Sequence, residues 1–551
     1  MIHPVWPALH ARHATGAPGS GFAPGAVIGL IAMGIASFMV ATDFTTLGVI
    51  LPKIEAQFDA EVSTAQWVIN AYTLVFGMLV IAGGRLADLF GRRRVFFTGM
   101  TIFGISSLLA GAASGVFWLI GARVLMGIGG AMIWPPVFSI SYALVSKEKA
   151  ALAGGIILGA LGLGCAAGPL IGGALAEFAS WRWVLFINAP VAAVVWVLAW
   201  FKVRIARPPK RRERIDYAGM TTLSFSLLSL LVALDQASDW GFRDPRIIAL
   251  FAIAVILLAV FVVIERRAGD TALIPVPVLR DRTMSSALAS RILIAGSFFV
   301  ALVYIPEYME KILGYSPFEA GLGMLPMMLG YAAVSFVSGP LYPRWGAKFM
   351  GSGGIALMVL GCGVFMLVIA HAGYVQLVPG LLLVGVGYAF CATALNTAGV
   401  LALPAEHASL AGAILYMGQL VGGSIGLGAY TTVLTIVSDA RIRVAGLAAG
   451  LTSDQLGAVG RFLGGTESGR ALFAGFPQSA GALEKLARDA FAHGMHAGFV
   501  MLIAFGLLSM LVALRYLGEW RSPRGDSASL TPDASPAAPV HLSGKTREDG
   551  T

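Results

Sequence analysis

A charged turn in this chain of 551 residues reads Gly84-Arg85-Leu86-Ala87-Asp88-Leu89-Phe90-Gly91-Arg92-Arg93-Arg94. It contains one acidic residue, two spaced glycines and a cluster of arginines. The apolar runs on either side, about residues 65–86 and 94–114, are each long enough to cross a bilayer core, which takes about 20 residues. The pattern therefore predicts a tight turn on one side of a membrane.

The composition of the whole chain agrees with a membrane protein. Apolar residues make up 57% of it and charged residues 12%, whereas soluble proteins are typically about 45–50% apolar and about 25% charged. The net charge is +9, but the basic residues lie in short segments between apolar runs, so we expect no nucleic-acid partner. The three cysteines also lie in apolar runs, and they predict neither disulfides nor a metal site.

About fourteen apolar runs are long enough to span a bilayer. They cover about residues 26–51, 65–86, 94–114, 117–145, 151–176, 184–202, 217–235, 246–265, 285–309, 320–342, 350–371, 375–402, 409–436 and 496–517. The first run follows no signal-peptide pattern, so we expect it to be a retained helix. The segment 437–494 is expected to be an extramembrane loop with partial helix around residues 480–491.

Lysine and arginine are concentrated in alternate connections, such as the segments 92–94, 202–214 and 266–282. Since cytoplasmic loops carry this excess, we expect a protein of the cytoplasmic (inner) membrane with both termini in the cytoplasm. The predicted organisation is a cytoplasmic tail at 1–25, a six-helix bundle at 26–202, a linker with two additional transmembrane helices at 203–284, a second six-helix bundle at 285–517 that includes the extracytoplasmic loop 437–494, and a disordered cytoplasmic tail at 518–551.

A degenerate copy of the opening turn occurs at residues 339–348, again after the second run of a six-run half. The corresponding pairs are Gly339 with Gly84, Leu341 with Leu86, Gly346 with Gly91 and Lys348 with Arg93, while Pro343 replaces Asp88. Such a repeat predicts two related halves. A chance match between short segments is the alternative.

The opening turn resembles the motif G-x-L-A-D-x-x-G-R-R/K of the fourteen-helix drug:proton antiporters of the major facilitator superfamily (EmrB/QacA type), and the likeness extends over about residues 26–517. The resemblance implies an all-α polytopic membrane protein, with two six-helix bundles and two inserted helices. It also implies a gating motif of Gly84, Asp88, Gly91, Arg92 and Arg93. Asp88 would pair with an arginine or lie against the N-terminus of another helix in one conformation only. A topology signal with surface charges is the alternative.

The fifth run matches the family's antiporter motif, G-x8-G-x3-G-P-x2-G-G, at Gly155, Gly164, Gly168, Pro169, Gly172 and Gly173. Small residues at these intervals let helices pack closely. In the resembling family the motif marks exporters, and it would form a pliable seam between the halves. Ordinary close packing is the alternative.

Two ionisable residues lie inside apolar runs, where charges are costly and commonly functional. Asp43 fits the family pattern D-x-T-x5-L-P, although Gly48 stands where asparagine is usual. Desolvation in hydrocarbon favours the protonated carboxyl group, so Asp43 could take up a proton on one side and release it on the other. Arg123 fits the family's fourth-helix arginine, which is implicated in proton coupling. Local helix contacts and a snorkelling arginine are the alternatives.

Other polar residues are weaker candidates. Glu307 and Glu310 could attract protons or cationic substrates, or they could be interfacial surface charges, and Asn70, Tyr72 and Asn396 could face a central cavity or make packing contacts. Two further segments match the family, but we assign neither a role in proton coupling. The segment around Asn188 is interpreted as an anchor at the membrane interface. In the segment around Gln419, Gly418 stands in place of the usual arginine.

No G-x4-G-K-S/T phosphate loop and no catalytic constellation occurs in the sequence, so we expect no cofactor, no enzymatic activity and a proton gradient as the energy source. The resemblance implies efflux of hydrophobic or cationic small molecules by proton antiport. Uptake or exchange of a specific metabolite, and a non-transporting sensor, are the alternatives. A periplasmic adaptor could contact the segment 437–494, which could equally be a solvated loop.

Overall fold

The computed structural model describes residues 25–60, 62–146, 149–203, 216–241, 244–268, 272–274, 278, 280–369, 373–404, 407–463, 476 and 479–517. These residues form α-helices with short connections and contain no β-strand. The predicted all-α fold is therefore confirmed. The predicted tails 1–25 and 518–551 lie outside the described residues except for Gly25.

The first bundle contains six membrane passes built from seven helices. They are α1 (Ala26–Phe58), α2 (Val62–Phe90), α3 (Arg92–Gly111), α4 (Val116–Ala143), α5 (Ala150–Phe178), α6 (Trp181–Phe186) and α7 (Asn188–Lys202). The inserted pair is α8 (Tyr217–Trp240) and α9 (Pro245–Ala268). Helices α6 and α7 together make one pass, from Trp181 to Lys202.

The second bundle repeats this arrangement. Its helices are α10 (Arg282–Lys311), α11 (Pro317–Gly323), α12 (Leu325–Val368), α13 (Tyr374–Leu401), α14 (Ala408–Ala448), α15 (Ser453–Leu463) and α16 (Ala480–Tyr516). In all, 13 helical stretches in the described part of the chain are long and apolar enough to cross a membrane. The sequence predicts fourteen passes, and the difference arises in α12.

Helix α12 joins two predicted passes, at 320–342 and 350–371, into one continuous stretch. The helical conformation is interrupted at Gly346, whose φ is 75°. Gly91, its counterpart in the repeat, also has a positive φ of 99° and separates α2 from α3. Both copies of the turn therefore use glycine where other residues would be strained. We call the side of the bundle that holds these two turns the basic side.

The segment 437–494 is more helical than the sequence predicts. Helix α14 continues to Ala448 and α16 begins at Ala480, so both reach beyond the apolar runs on the side opposite the basic side. With α15 they form a small second core around Ile442, Val459 and Leu483. This apolar packing explains why the polar extensions remain helical.

The two bundles meet at the repeat glycines. A side chain at Gly84 would place its Cβ 2.9 Å from the Ser409 carbonyl oxygen at the start of α14. A side chain at Gly339 would place its Cβ 2.7 Å from the Ala151 carbonyl oxygen at the start of α5. Each half thus sets its second helix against the first turn of the other half's fifth helix, which supports the predicted repeat.

Candidate functional site

A buried ion pair lies inside the first bundle. Arg123 on α4 donates from Nη1 to Oδ2 of Asp43 on α1 over 2.6 Å. The arginine also donates from Nε to the Val68 carbonyl oxygen on α2 over 2.9 Å. The two residues singled out by sequence are therefore partners, and they link three helices.

The second oxygen of Asp43 is held by a residue that the sequence did not identify as functional. Asn188, at the start of α7, donates from Nδ2 to Asp43 Oδ1 over 3.0 Å and to Ser107 Oγ of α3 over 3.3 Å. Ser107 in turn donates to the Leu185 carbonyl oxygen. The carboxylate thus receives one hydrogen bond from a charged donor and one from a neutral donor.

Aromatic rings enclose this polar cluster. The Arg123 guanidinium carbon lies 4.3 Å from the ring centroid of Tyr72, within the range of a cation–π interaction. Phe44 packs edge-on against Tyr72. The carboxylate of Asp43 is thus buried inside an apolar span, with charged and polar groups as its direct partners.

Asp88 joins the two halves at the basic side. Its carboxylate accepts from the backbone N–H groups of Ser409, over 3.3 Å, and Leu410, over 2.9 Å, at the start of α14. Arg92, one turn later in the chain, approaches the same carboxylate at 3.3 Å. Both contacts suggested by the sequence occur together, and the carboxylate complements the positive end of the α14 dipole.

The remaining residues of the gating motif have different partners. Arg93 donates to the Trp200 carbonyl oxygen of α7 over 2.7 Å, and its guanidinium lies over the Trp200 ring. Arg93 therefore ties α3 to α7 inside the first bundle. Gly84 and Gly91 provide the close approach and the positive φ described above.

The α5 motif is divided between two neighbours. A Cβ at Gly155 would lie 2.4 Å from the Ser335 carbonyl oxygen of α12, and one at Gly173 would contact Phe318 of α11. Gly164, Gly168 and Gly172 instead pack against α1 of the same bundle. The predicted seam between the halves therefore applies only to the two ends of the motif, while Pro169 lines a small apolar depression beside Phe318.

Arg291 on α10 is a buried cation that the sequence reasoning missed. It contacts Oε1 of Gln419 on α14 and the Ala392 carbonyl oxygen of α13. The sequence offered one signal, an arginine inside the predicted run 285–309. The sequence assigned no proton-coupling role to the segment around Gln419, which is the hydrogen-bond partner of Arg291.

The other predicted candidates lie apart from the ion pair. Glu307 pairs with Lys311 over 2.7 Å on the same helix, and Glu310 is exposed, so both fit interfacial charges. Asn396 is buried in α13. Asn70 is half-buried on α2.

Comparison with known proteins identifies the family. Residues 33–427 match the Major Facilitator Superfamily. The chain is 33% identical to the puromycin resistance protein pur8 of Streptomyces alboniger, over 77% of this chain and 85% of that one. It is 29% identical to the tetracenomycin C resistance and export protein of Streptomyces glaucescens, over 88% and 90%.

Two solved structures have the same fold. The human organic anion transporter MFSD10 (TETRAN) aligns with a TM-score of 0.56 at 13% identity, over 89% of this chain and 100% of that one. A bacterial homologue of the human lysosomal transporter Spinster, inward-facing and unoccupied, aligns with a TM-score of 0.55 at 18% identity, over 91% and 100%. At these identities the likeness shows the fold alone. From the match over more than half of its length, this chain belongs to the Major Facilitator Superfamily and is a multi-pass membrane transporter.

Proposed function

We propose that the protein exports hydrophobic small molecules across the cytoplasmic membrane in exchange for protons. The observation that carries the proposal is the buried ion pair of Asp43 and Arg123. It places a carboxylate that can bind a proton inside the first bundle of a transporter. Two relatives are named for resistance to puromycin and for resistance to and export of tetracenomycin C, which supports export as the direction.

The proton acts at the carboxylate of Asp43. When a proton binds, the carboxylate loses its charge, and the attraction to Arg123 becomes an ordinary hydrogen bond. Arg123 is also held by α2, through the Val68 carbonyl and the Tyr72 ring. Protonation therefore weakens the link that α1 makes to α4, while α4 keeps its link to α2.

Helix α1 carries this change toward the other half. It packs along α5 at Gly164, Gly168 and Gly172, and α5 meets α12 at Gly155. A shift of α1 would therefore also displace α5, the helix that packs against the second bundle at the basic side. Substrate binds between the halves, which rock around it.

The basic side faces the cytoplasm in this proposal, because cytoplasmic loops carry the excess of Lys and Arg. One proton crossing 100 mV supplies about 2.3 kcal/mol, which sustains roughly a fifty-fold ratio of a neutral substrate. No adaptor is needed for this cycle. The helical unit around Ile442, Val459 and Leu483 is where a periplasmic adaptor would bind if the cell supplies one.

Reconstitution tests the proposal. Purified protein in liposomes of known orientation is given an imposed pH gradient, and puromycin or tetracenomycin C is followed together with internal pH. We expect substrate movement against its gradient, coupled to proton flux, by the chain alone. Asp43→Asn should abolish the substrate movement that is driven by the pH gradient. If substrate movement and proton flux stay coupled in that variant, Asp43 is not the proton-binding residue.

The same assay separates the alternatives. Accumulation of substrate on the basic side under the physiological gradient would indicate uptake. A sensor that does not transport would show no substrate-dependent proton flux with any compound of a broad panel.

A further inference from the structure

The second bundle contains a buried positive charge without a carboxylate partner. Arg291 is 2% exposed and is the tenth residue of α10, roughly 14 Å along the helix axis. Arg291 therefore lies inside the predicted apolar run 285–309 and not in a connecting segment. Among the residues that the structure describes, Arg291 donates hydrogen bonds to Gln419 and to the Ala392 carbonyl oxygen, and its Nε has no hydrogen-bond partner.

Buried hydroxyl groups without a hydrogen-bond partner occur on α12 and α13, which neighbour α10. The hydroxyls of Tyr331, Tyr388 and Thr393 are buried and lack a hydrogen-bond partner. Tyr388 lies one helical turn before Ala392, whose carbonyl accepts from Arg291, and Tyr331 packs beside Tyr388. The group as a whole therefore offers donors and one uncompensated positive charge.

This group lies at the boundary between the bundles. Tyr331 packs against Gly162 of α5, in the first bundle. Substrates of the proposed transport function pass between these two halves. The charge of Arg123 is neutralised by Asp43, whereas the partners of Arg291 within the described residues are a neutral amide and a carbonyl oxygen.

An aromatic cluster begins two turns after Arg291 on α10. Phe298 stacks on Tyr388 with ring centroids 4.1 Å apart and planes 18° apart, and Tyr331 lies 5.3 Å from Tyr388. Aromatic faces bind planar apolar bodies, and a guanidinium with hydroxyl donors binds a carboxylate or a similar anionic group.

We propose that Arg291, with Tyr331 and Tyr388, binds the anionic group of a planar aromatic substrate between the two bundles. This assignment rests on the proposed transport function and specifies its substrate class. It differs from the hydrophobic or cationic substrate that the sequence resemblance implies, since a buried cation repels a second cation.

Binding to the purified full-length protein tests the assignment without a proton gradient. The probes are 2-naphthoate and its neutral isostere 2-naphthamide, at about pH 7, where a carboxylate is ionised. We expect the wild type to bind naphthoate roughly tenfold more tightly than naphthamide, measured by ligand-induced thermal stabilisation. Arg291→Gln should abolish this preference, Arg291→Lys should retain part of it, and naphthamide binding should change little.

The control is Arg443→Gln, which removes an exposed arginine of α14 and should leave the preference intact. Tyr388→Phe removes one donor while keeping the ring and should weaken only naphthoate. Equal binding of the two probes by the wild type, or a preference that survives Arg291→Gln, would overturn the assignment. So would stabilisation by chloride that depends on Arg291 and exceeds that by naphthoate, because the site would then hold an inorganic anion.

The result is separable from the transport mechanism. Asp43→Asn should lose pH-driven transport yet keep the naphthoate preference, since Asp43 lies in the other bundle. A lost preference with intact proton-coupled export would refute the substrate class alone. An intact preference without proton-coupled export would refute the transport mechanism alone.

Discussion

At the scale of single residues, the sequence identifies buried charges more easily than their partners. Asp43 and Arg123 stand out because each interrupts an apolar run, but they are 80 positions apart, and their contact depends on how α1 and α4 are rotated. Asn188 follows aromatic residues of the kind found at the membrane interface, so the sequence around it predicts an anchor at the membrane surface and not a partner of Asp43. Arg291 lies near the start of its run, where an arginine also fits a basic loop.

A double-mutant cycle measures the coupling of Asp43 with Arg123. We expect Asp43→Asn or Arg123→Met alone to destabilise the protein by about 3–5 kcal/mol, because each leaves its buried partner uncompensated. The double variant should be less destabilised than the sum of the single variants, with an interaction energy of about 0.5–3 kcal/mol. Unfolding in mixed micelles provides the free energies.

The exposed pair of Arg441 and Asp489 is the matched control. Its atoms are also 2.6 Å apart, but its side chains are 41% and 37% exposed. Asp489→Asn should cost no more than about 1 kcal/mol, since solvent screens the pair. Equal losses at the two sites would show that burial does not determine the strength of the Asp43 pair.

At the scale of helices, apolar runs predict where the passes are but not where the helices end. The runs at 409–436 and 496–517 correspond to α14 and α16, which extend to Ala448 and start at Ala480. Those extensions are polar on one face and are held by their own small core, a tertiary effect that hydropathy does not include. The glycine motif of α5 is recognisable from spacing, yet the spacing does not tell which glycines face α1 and which face the other half.

Gly155→Ala tests the crossing of α5 with α12. The added Cβ would lie 2.4 Å from the Ser335 carbonyl oxygen, so the helices must separate at the basic side. We expect transport to fall roughly tenfold, as for a penalty of about 1.4 kcal/mol on one conformation of the cycle. Flux measurements and the accessibility of a cysteine placed at Ser335 report the two effects.

Gly121→Ala is the comparison variant, because a Cβ at Gly121 of α4 meets no atom within 4 Å. Transport by this variant should stay close to that of the wild type. If the two alanine variants behave alike, the close approach at Gly155 has no part in the transport cycle.

At the scale of the whole molecule, the two halves are related by the repeat but are not equivalent. Both second helices cross the opposite fifth helix at a glycine, Gly84 or Gly339. Only the first half adds a carboxylate at this crossing, because Asp88 caps α14 whereas its counterpart in the repeat is Pro343. The sequence predicts this asymmetry, and the structure adds the partner of the acid.

Asp88→Asn should favour opening at the basic side. Loss of the charge removes about 1–2 kcal/mol of interaction with the α14 N-terminus, which shifts the population roughly five- to thirty-fold. Distances between spin labels on α2 and α14, measured at the basic side, report the population. An unchanged distance distribution would rule out Asp88 as a latch.

Pro343→Asp provides the complementary experiment. An acid at this position should accept from the first N–H groups of α5, as Asp88 does from α14, and should make the closed state more stable. We expect slower transport and shorter distances between α5 and α12 at the basic side. Pro343→Asn removes the proline without adding a charge, so the difference between the two variants gives the effect of the charge. Matching results for both variants would show that the charge does not stabilise the closed state.

The inserted helices have a consequence for how lipid reaches the protein. Helix α8 packs against both α2 and α14, and its Leu231 fills the space beside Gly77. That lateral junction of the bundles is shielded from acyl chains. At the other junction, Leu170 and Phe318 are partly exposed beside the apolar depression. A hydrophobic solute dissolved in the bilayer therefore meets a covered boundary on one flank and an apolar recess on the other.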